Sequence, residues 1–291
     1  MDYALHLVTM LCIYVTLSVS LDLLIGHTGI LSFGHAALYG IGAYATAILT
    51  VSAGWHWLPA FFAAFVVAMA LALIIGVPTL RLGGDYFILA LFGFQSIVLT
   101  VIFNWESLTN GPFGIRGIPR PSLAGWVVPS DWGMLTFAAL IAAIVLLIHW
   151  RLLNSPIRTV LHAVRDDDTV AQALGINAVR TRIVVFAMAG GFAGLAGGVL
   201  AFYFRFIEPT SFNITTMVLL WAMVFVGGSQ SIRGMIVGPA VLLLFPELFR
   251  FLGVSGAVIG HIQQALYGLL LIVLMLYRPQ GLAGRRLPTS A

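Results

Sequence analysis

The sequence predicts an all-α, polytopic integral membrane protein with about nine transmembrane helices, eight to ten being compatible with the pattern. Three observations carry this. Of the 291 residues, 60% are hydrophobic and only 8% charged, and the mean hydropathy is +1.05, a balance foreign to soluble domains. Runs such as "LPAFFAAFVVAMALALIIGV" are long enough to cross about 30 Å of hydrocarbon as helices. Apolar windows of that kind recur along the chain, separated by short polar or glycine-rich breaks.

Those windows place spans at roughly residues 4–25, 31–52, 58–80, 84–103, 133–153, 183–204, 214–229, 234–253 and 261–277. The whole chain, 1–291, is read as one transmembrane domain with an outer loop at 104–132 and a cytoplasmic loop at 154–182. The first window has no basic residue before it, the first arginine being Arg81, so it reads as a retained spanning helix and not a cleaved signal peptide. Cys12, the only cysteine, lies in that window and reads as a small apolar residue.

The next stretch, "IGHTGILSFGHAALYGIGAYATA" at Ile25–Ala47, is polar and glycine-rich for a lipid-facing segment. Ile25–Ile30 is expected at a cytoplasmic turn, where His27 needs no partner. The rest enters a span whose Gly34, Ala36, Gly40 and Ala43 permit close backbone approach. His35 does need a partner there: either a buried helix–helix hydrogen bond or a place on the pathway.

All fourteen basic residues are arginines, against ten acids, for a net charge of +4. With no lysine, the chain lacks the residue that a Walker A loop places on nucleotide phosphates, and Schiff-base chemistry is excluded for the same reason. Positive charge is retained on the cytoplasmic side of bilayers. Nine spans with an outside N-terminus put ten arginines inside (Arg81, Arg151, Arg158, Arg165, Arg180, Arg182, Arg233, Arg278, Arg285, Arg286) and four outside or near that face (Arg116, Arg120, Arg205, Arg250). The C-terminus and the 154–182 loop are then cytoplasmic. The outer loop, rich in proline and glycine with two tryptophans, suits an interfacial position.

"NSPIRTVLHAVRDDDTVAQALGINAVRTRI", Asn154–Ile183, divides into two short helices. Ser155 is placed to cap the first with Pro156 in its first turn, Asp166 or Asp167 to cap a second that stops at Gly175, and Asn177 to cap the helix that re-enters the membrane. Asp166, Asp167 and Asp168 lie at the positive dipole end of the second helix. That helix is too short and too alanine-rich to stand alone in water. It either folds back on the membrane core or docks into a groove on a partner.

Further along, "AGGFAGLAGG" spaces Gly190, Gly194 and Gly198 four apart, a small-residue face for helix packing. Gly227, Gly228, Gly234 and Gly238 form a second glycine cluster around a cytoplasmic turn. Of the acids near spans, Asp22 and Asp85 read as capping or solvated groups at the inner interface, and Glu247 as a partner of Arg250 three residues on. The seven histidines show no His-x-x-His or His-Glu spacing, so no metal is expected. His149 beside Trp150 and Arg151 reads as an interfacial anchor. No nucleophile, base and orienting acid stand together, so no catalytic residue is assigned and an enzyme is not expected.

An alanine-rich short helix ending in "ALGIN", preceded by "AVRDDD" and followed by a span, resembles the coupling loop of ABC-importer permeases. More narrowly, "GHTGILSFGHAALYGIGAYATA", "GDYFILALFGF", "LTNGPFGIRGIP", "AVRDDDTVAQALGIN", "VFVGGSQSIRGMIVGPA" and "LYGLLLIVLMLYRPQGLAG" together resemble the branched-chain amino acid permease family, of the LivM type. The six segments keep the family's order over residues 26–284. The family pattern usually has a carboxylate just before the loop alanines; here Thr169, Val170 and Gln172 occupy that region, and Asp167 and Asp168 are left to supply the charge.

The resemblance implies the permease subunit of an ATP-driven importer of branched-chain or related amino acids in the bacterial cytoplasmic membrane. Its expected partners are a second related permease, two cytoplasmic ATPase subunits that hydrolyse the ATP, an external binding protein and the bilayer, with no cofactor in this chain and no nucleic acid. It places the ATPase-coupling loop at Arg165, Asp166, Asp167, Asp168, Ala171, Ala173, Leu174 and Gly175. Candidate pathway or gating residues are Gly34, His35, Gly40, Asn110, Gly190, Gly194 and Gly198. An ion-coupled secondary transporter, with Asp22, Asp85 or Glu247 as coupling groups, is the alternative, and would not need the cytoplasmic loop.

Overall fold

A computed structural model describes residues 2–82, 84–123, 126–127, 131–251, 268–269, 272, 276 and 280–284. The chain runs through α1 (Asp2–Thr28), α2 (His35–Ala47, continued by a π-helical turn at Ile48–Ser52), α3 (Trp57–Thr79), α4 (Gly84–Asn104), α5 (Glu106–Thr109), β1 (Ile115–Arg116), β2 (Ser122–Leu123), β3 (Trp126–Val127), α6 (Asp131–Leu153), α7 (Ile157–Asp166), α8 (Asp168–Ala173), α9 (Ala178–Phe204), β4 (Phe206–Ile207), α10 (Ile214–Gly227) and α11 (Ile232–Phe251). Among the described residues, α1, α3, α4, α6 and α9 are long and apolar enough to cross a membrane, and α10 is a shorter apolar helix. Eight of the nine expected windows are helices. The ninth, 261–277, falls almost wholly outside the described residues.

The helices alternate between two faces. On one, β1 pairs antiparallel with β4, setting Ile115 opposite Ile207, and the Trp57 indole donates to the Ser122 carbonyl. The 53–56, 105–123 and 205–213 segments therefore lie together. On the other face, Arg165 donates to the Gly26 carbonyl at 2.7 Å, and the Leu282 and Ala283 amides donate to the carbonyls of Val226 and Gly227. This second face carries most of the arginines and is called the arginine-rich face below.

The core is organised by α9. Its Gly190, Gly194 and Gly198 lie against the alanine stripe of α3: a Cβ at Gly190 would come 2.6 Å from the Ala72 methyl, one at Gly194 2.5 Å from the Ala68 methyl, and one at Gly198 2.8 Å from the Phe61 ring. On a second side, Gly197 meets the backbone of Tyr39 and Ala43, and Gly42 of α2 meets Gly194 itself. One helix thus packs backbone to backbone against two others, which only small residues allow.

α2 does not begin at the membrane face. After α1 ends, residues 29–34 run back without helical structure, and α2 starts beside Ser20, eight residues or about 12 Å before the end of α1. Its first-turn amides have no side-chain cap on α2 itself. The Gln95 side chain, midway along α4, meets that need: its oxygen accepts from the Ala37 amide and its nitrogen donates to the Phe212 carbonyl, each at 2.6 Å. Orphaned backbone groups at hydrocarbon depth are costly, so this lone amide fixes where two broken segments meet. Elsewhere the hydroxyls of Thr9, Thr16, Thr28, Thr46, Thr50 and Thr79 bond to the carbonyl four residues back, the usual solution in lipid.

Two outcomes are expected. Gly194→Val should overpack both crossings and lower stability by about 1–3 kcal/mol or more, seen as a drop in melting temperature of the detergent-purified protein; Gly93→Ala, mid-helix where a Cβ meets nothing within 4 Å, should not lower it and gains the helix propensity of alanine. Gln95→Leu should leave a buried amide and carbonyl unpaired, at about 1–3 kcal/mol each, whereas Gln95→Glu should retain the bond to the Ala37 amide; hydrogen exchange at the start of α2 distinguishes them.

Candidate functional site

The depth at which α2 begins gathers polar groups that have no place in a lipid-facing helix. The Ser20 hydroxyl and His35 Nε2 lie 2.7 Å apart, both buried. Of the two readings open for His35, the geometry gives the buried helix–helix hydrogen bond. The Phe94 ring covers Gly34 and the Phe212 ring covers Gly40, with Tyr39 and Tyr44 edge-on to Phe212. Gly34, His35 and Gly40 thus line one crossing of α1, α2, α4 and the turn before α10. Gly190, Gly194 and Gly198 lie at the neighbouring α9 crossings.

Toward the face opposite the arginine-rich one, this crossing opens into a cavity of about 430 Å³ lined by α1, α2, α9 and the 206–216 segment. Its walls divide by chemistry. Met10, Leu200 and Phe212 are apolar, while Tyr14, Tyr39, Glu208, Ser211 and Thr216 supply a carboxylate and hydroxyls. The lining therefore joins an apolar surface to one acid and several hydroxyls. Neither Glu208 nor Gln95 carries a local sequence signal, each being a single polar residue in an irregular or apolar context. Asn110 stands apart: it caps the end of α5 in the left-handed conformation, φ 60°, and its side-chain nitrogen donates to the Gly114 carbonyl at 2.8 Å.

On the arginine-rich face the 154–177 segment follows the expected punctuation with one exception. Asp167 caps α8, accepting from the amides of Thr169 and Val170 at 2.7 and 3.1 Å. Those two bonds hold its carboxyl below the usual value of 3.8, so the cap's contribution is present above that pH and is lost as pH falls through the lowered value. Gly175 ends the helix at φ 82°, and Asn177 caps α9 by accepting from the Arg180 amide. Ser155 does not cap α7; its hydroxyl donates to the Leu152 carbonyl at 2.7 Å, a carbonyl freed at the end of α6, and Pro156 takes the cap position without a side-chain bond.

α8 has two faces. Ala171 packs inward on Val164 and Ala178, and Asp168 is held by Arg182, which also donates to the Val164 carbonyl. Outward, Val170 is 56% and Leu174 72% exposed, with Ala173 and Gly175 exposed beside them. Arg165 points away from this surface and ties α7 to the end of α1, and Asp166 is exposed. A groove of about 620 Å³ bounded by Arg81, Gln172, Gly175 and Arg180 runs alongside.

Between this segment and the core lies a cluster that sequence spacing did not reveal. Asp22 and His149, expected at an interface, are completely buried, as is His27, expected at a turn without a partner. The correction has a physical cause: α7 covers the ends of α1 and α6, so residues near the face are sealed from water. Asp22 Oδ2 lies 3.4 Å from His27 Nε2 and 3.5 Å from His149 Nε2, and the His162 ring on α7 stands 5.6 Å from that of His27. Burial, with His27, Arg158 and Arg165 nearby, makes His162 less basic than usual. The side chains of Asp85 and Arg250 fall outside the described residues.

The chain matches the family described as branched-chain amino acid transport system / permease component over residues 3–277. It is 31% identical over 300 residues to the high-affinity branched-chain amino acid transport system permease protein LivM of Salmonella typhimurium, covering 94% of this chain and 68% of that protein, and LivM of Escherichia coli matches at the same identity and coverage. The LivH permease of E. coli is 26% identical over 304 residues, 96% of this chain and 93% of the relative. No solved structure matches it. With membrane-length helices packed on a glycine face and a family match over nearly its whole length, this polytopic chain belongs to the branched-chain amino acid transport permease family.

Proposed function

We propose that this chain is the membrane subunit of an ATP-driven importer of branched-chain or related aliphatic amino acids, forming the translocation pathway together with a second, related permease. Relatives of both LivM and LivH type among its matches support pairing of two such chains. The observation that carries the coupling half of the reading is the outward face of α8. Val170, on a helix of six residues, and Leu174, immediately after its last residue, are exposed, and the helix is capped by Asp167, ended at Gly175 and braced by Arg182. An apolar side chain so exposed on a short, fixed helix fits a groove on a partner.

The partner would be one of two cytoplasmic ATPase subunits. This chain has no lysine, and ATP hydrolysis is left to them. The excess of arginine on the face that holds α8 supports a cytoplasmic placement of that face and of the C-terminus in a bacterial inner membrane. An external binding protein would deliver substrate to the opposite face, where the cavity beside Glu208 supports passage of a small zwitterion with an aliphatic side chain. Nucleotide-driven movement of α8 would reach the core through Arg165 on the end of α1 and through α9, whose glycine crossings have no bulky side chains to resist sliding.

Leu174→Asp tests the docking face. The variant should insert and purify with its permease partner, because Leu174 contributes nothing to the packed core, yet lose the nucleotide-binding subunit on co-purification at least tenfold. Retention of that subunit at wild-type stoichiometry contradicts the proposal.

A further inference from the structure

The buried cluster at the end of α1 serves no step of the transport reading, and its geometry is unusual for a set of hydrogen bonds. Asp22, His27 and His149 have fully buried side chains. One Asp22 oxygen is accounted for: Oδ1 accepts from the Gln230 amide at 2.9 Å. The other, Oδ2, faces the two imidazoles and forms no hydrogen bond, and none of the four ring nitrogens of His27 and His149 has a hydrogen-bond partner. Leaving five buried polar atoms unpaired around one point is a costly arrangement for a protein to fix in place.

The distances explain what would pair three of them, Oδ2 and the two Nε2 atoms. Oδ2 is 3.4 and 3.5 Å from the two Nε2 atoms, longer than the roughly 2.7–2.9 Å of a charge-assisted bond between imidazolium and carboxylate. A tetrahedral ion with ligand bonds of about 2.0–2.2 Å holds its ligands about 3.3–3.6 Å apart. One ligand atom from each of the three residues lies within 4.8 Å of the others. Two imidazoles and a carboxylate are a ligand set of zinc type, and the Gln230 amide orients the carboxylate as an outer hydrogen bond orients a metal ligand.

We propose that Asp22, His27 and His149 form a binding site for a divalent transition ion of the zinc class, clamping the end of α1 to the end of α6 beneath the 154–177 segment. His162 of α7, whose ring centroid lies 5.6 Å from that of His27, is not one of the three ligands. The ion would neutralise the buried carboxylate and hold still the two helix ends on which α7 rests. The inference depends on this chain's own geometry and not on the identity of the transported solute.

The test uses the full-length protein, purified in detergent through a tag without histidine, depleted with a chelator and titrated with Zn2+ and separately with Co2+. The expected result is one Zn2+ bound per chain and, with Co2+, the intense visible absorption bands of a tetrahedral site. His149→Gln should lower Zn2+ affinity at least tenfold and abolish those bands; Asp22→Asn should do the same if the His149 variant fails to fold. His162→Gln should keep the stoichiometry. Wild-type protein that takes up no stoichiometric Zn2+ and shows no tetrahedral Co2+ bands overturns the proposal and leaves a polar His–Asp–His cluster only; unchanged binding in both ligand variants overturns it by placing the metal elsewhere.

Discussion

Gly194 is touched from two sides at once. A Cβ there would meet the Ala68 methyl and the Ala64 carbonyl of α3 at 2.5 and 2.8 Å, while Gly42 of α2 rests on its backbone. The close approach of three helices at this point sets the rest of the arrangement. Within lipid there is little hydrophobic drive to bring helices together, so dispersion contact between backbones has to do it. Because α9 takes that role with glycine on two sides, α2 and α3 lie at fixed depth, and α1 and α6 close around them.

The depth of α2 then creates the polar interior. A helix that begins halfway through the bilayer exposes its first amides to hydrocarbon, and Gln95 is what makes such a start tolerable. The same amide holds the Phe212 carbonyl, so the two irregular segments at residues 29–34 and 205–213 are coupled through one side chain. Broken helices whose ends meet near mid-depth are the common setting for solute sites in membrane transporters. Here they adjoin the cavity that contains Glu208. At the arginine-rich face, Arg165 ties α7 to the end of α1 and Arg182 of α9 holds Asp168 of α8, so α8 is joined directly to one helix of the packed trio and α7 to the helix beside it.

Much of this was legible in the sequence where the signal is local. Membrane class and eight helices followed from apolar windows. The caps at Asp167 and Asn177 and the stop at Gly175 followed from short-range backbone chemistry, and the Gly190, Gly194, Gly198 face from its spacing. Ser155 was misread because the end of α6 competes for its hydroxyl. What escaped was produced by tertiary contact: Asp22 and His149 meet only because α1 and α6 end side by side under α7, and no spacing encodes that. Gln95 is a single amide in an apolar helix, recognisable as a suspect only by its isolation. The resemblance of six ordered segments supplied the family, which composition and periodicity alone could not separate from an ion-coupled transporter.

The central claim, that the glycine-packed core is moved by partner ATPases through α8, is tested most directly by transport in proteoliposomes. The chain is reconstituted with its permease partner, the ATPase subunits and the binding protein, and uptake of radiolabelled leucine is followed with ATP or a non-hydrolysable analogue on the ATPase side. The account predicts accumulation against a gradient with ATP and none with the analogue. Equal accumulation without ATP, driven by a proton or sodium gradient across the same vesicles, would contradict it.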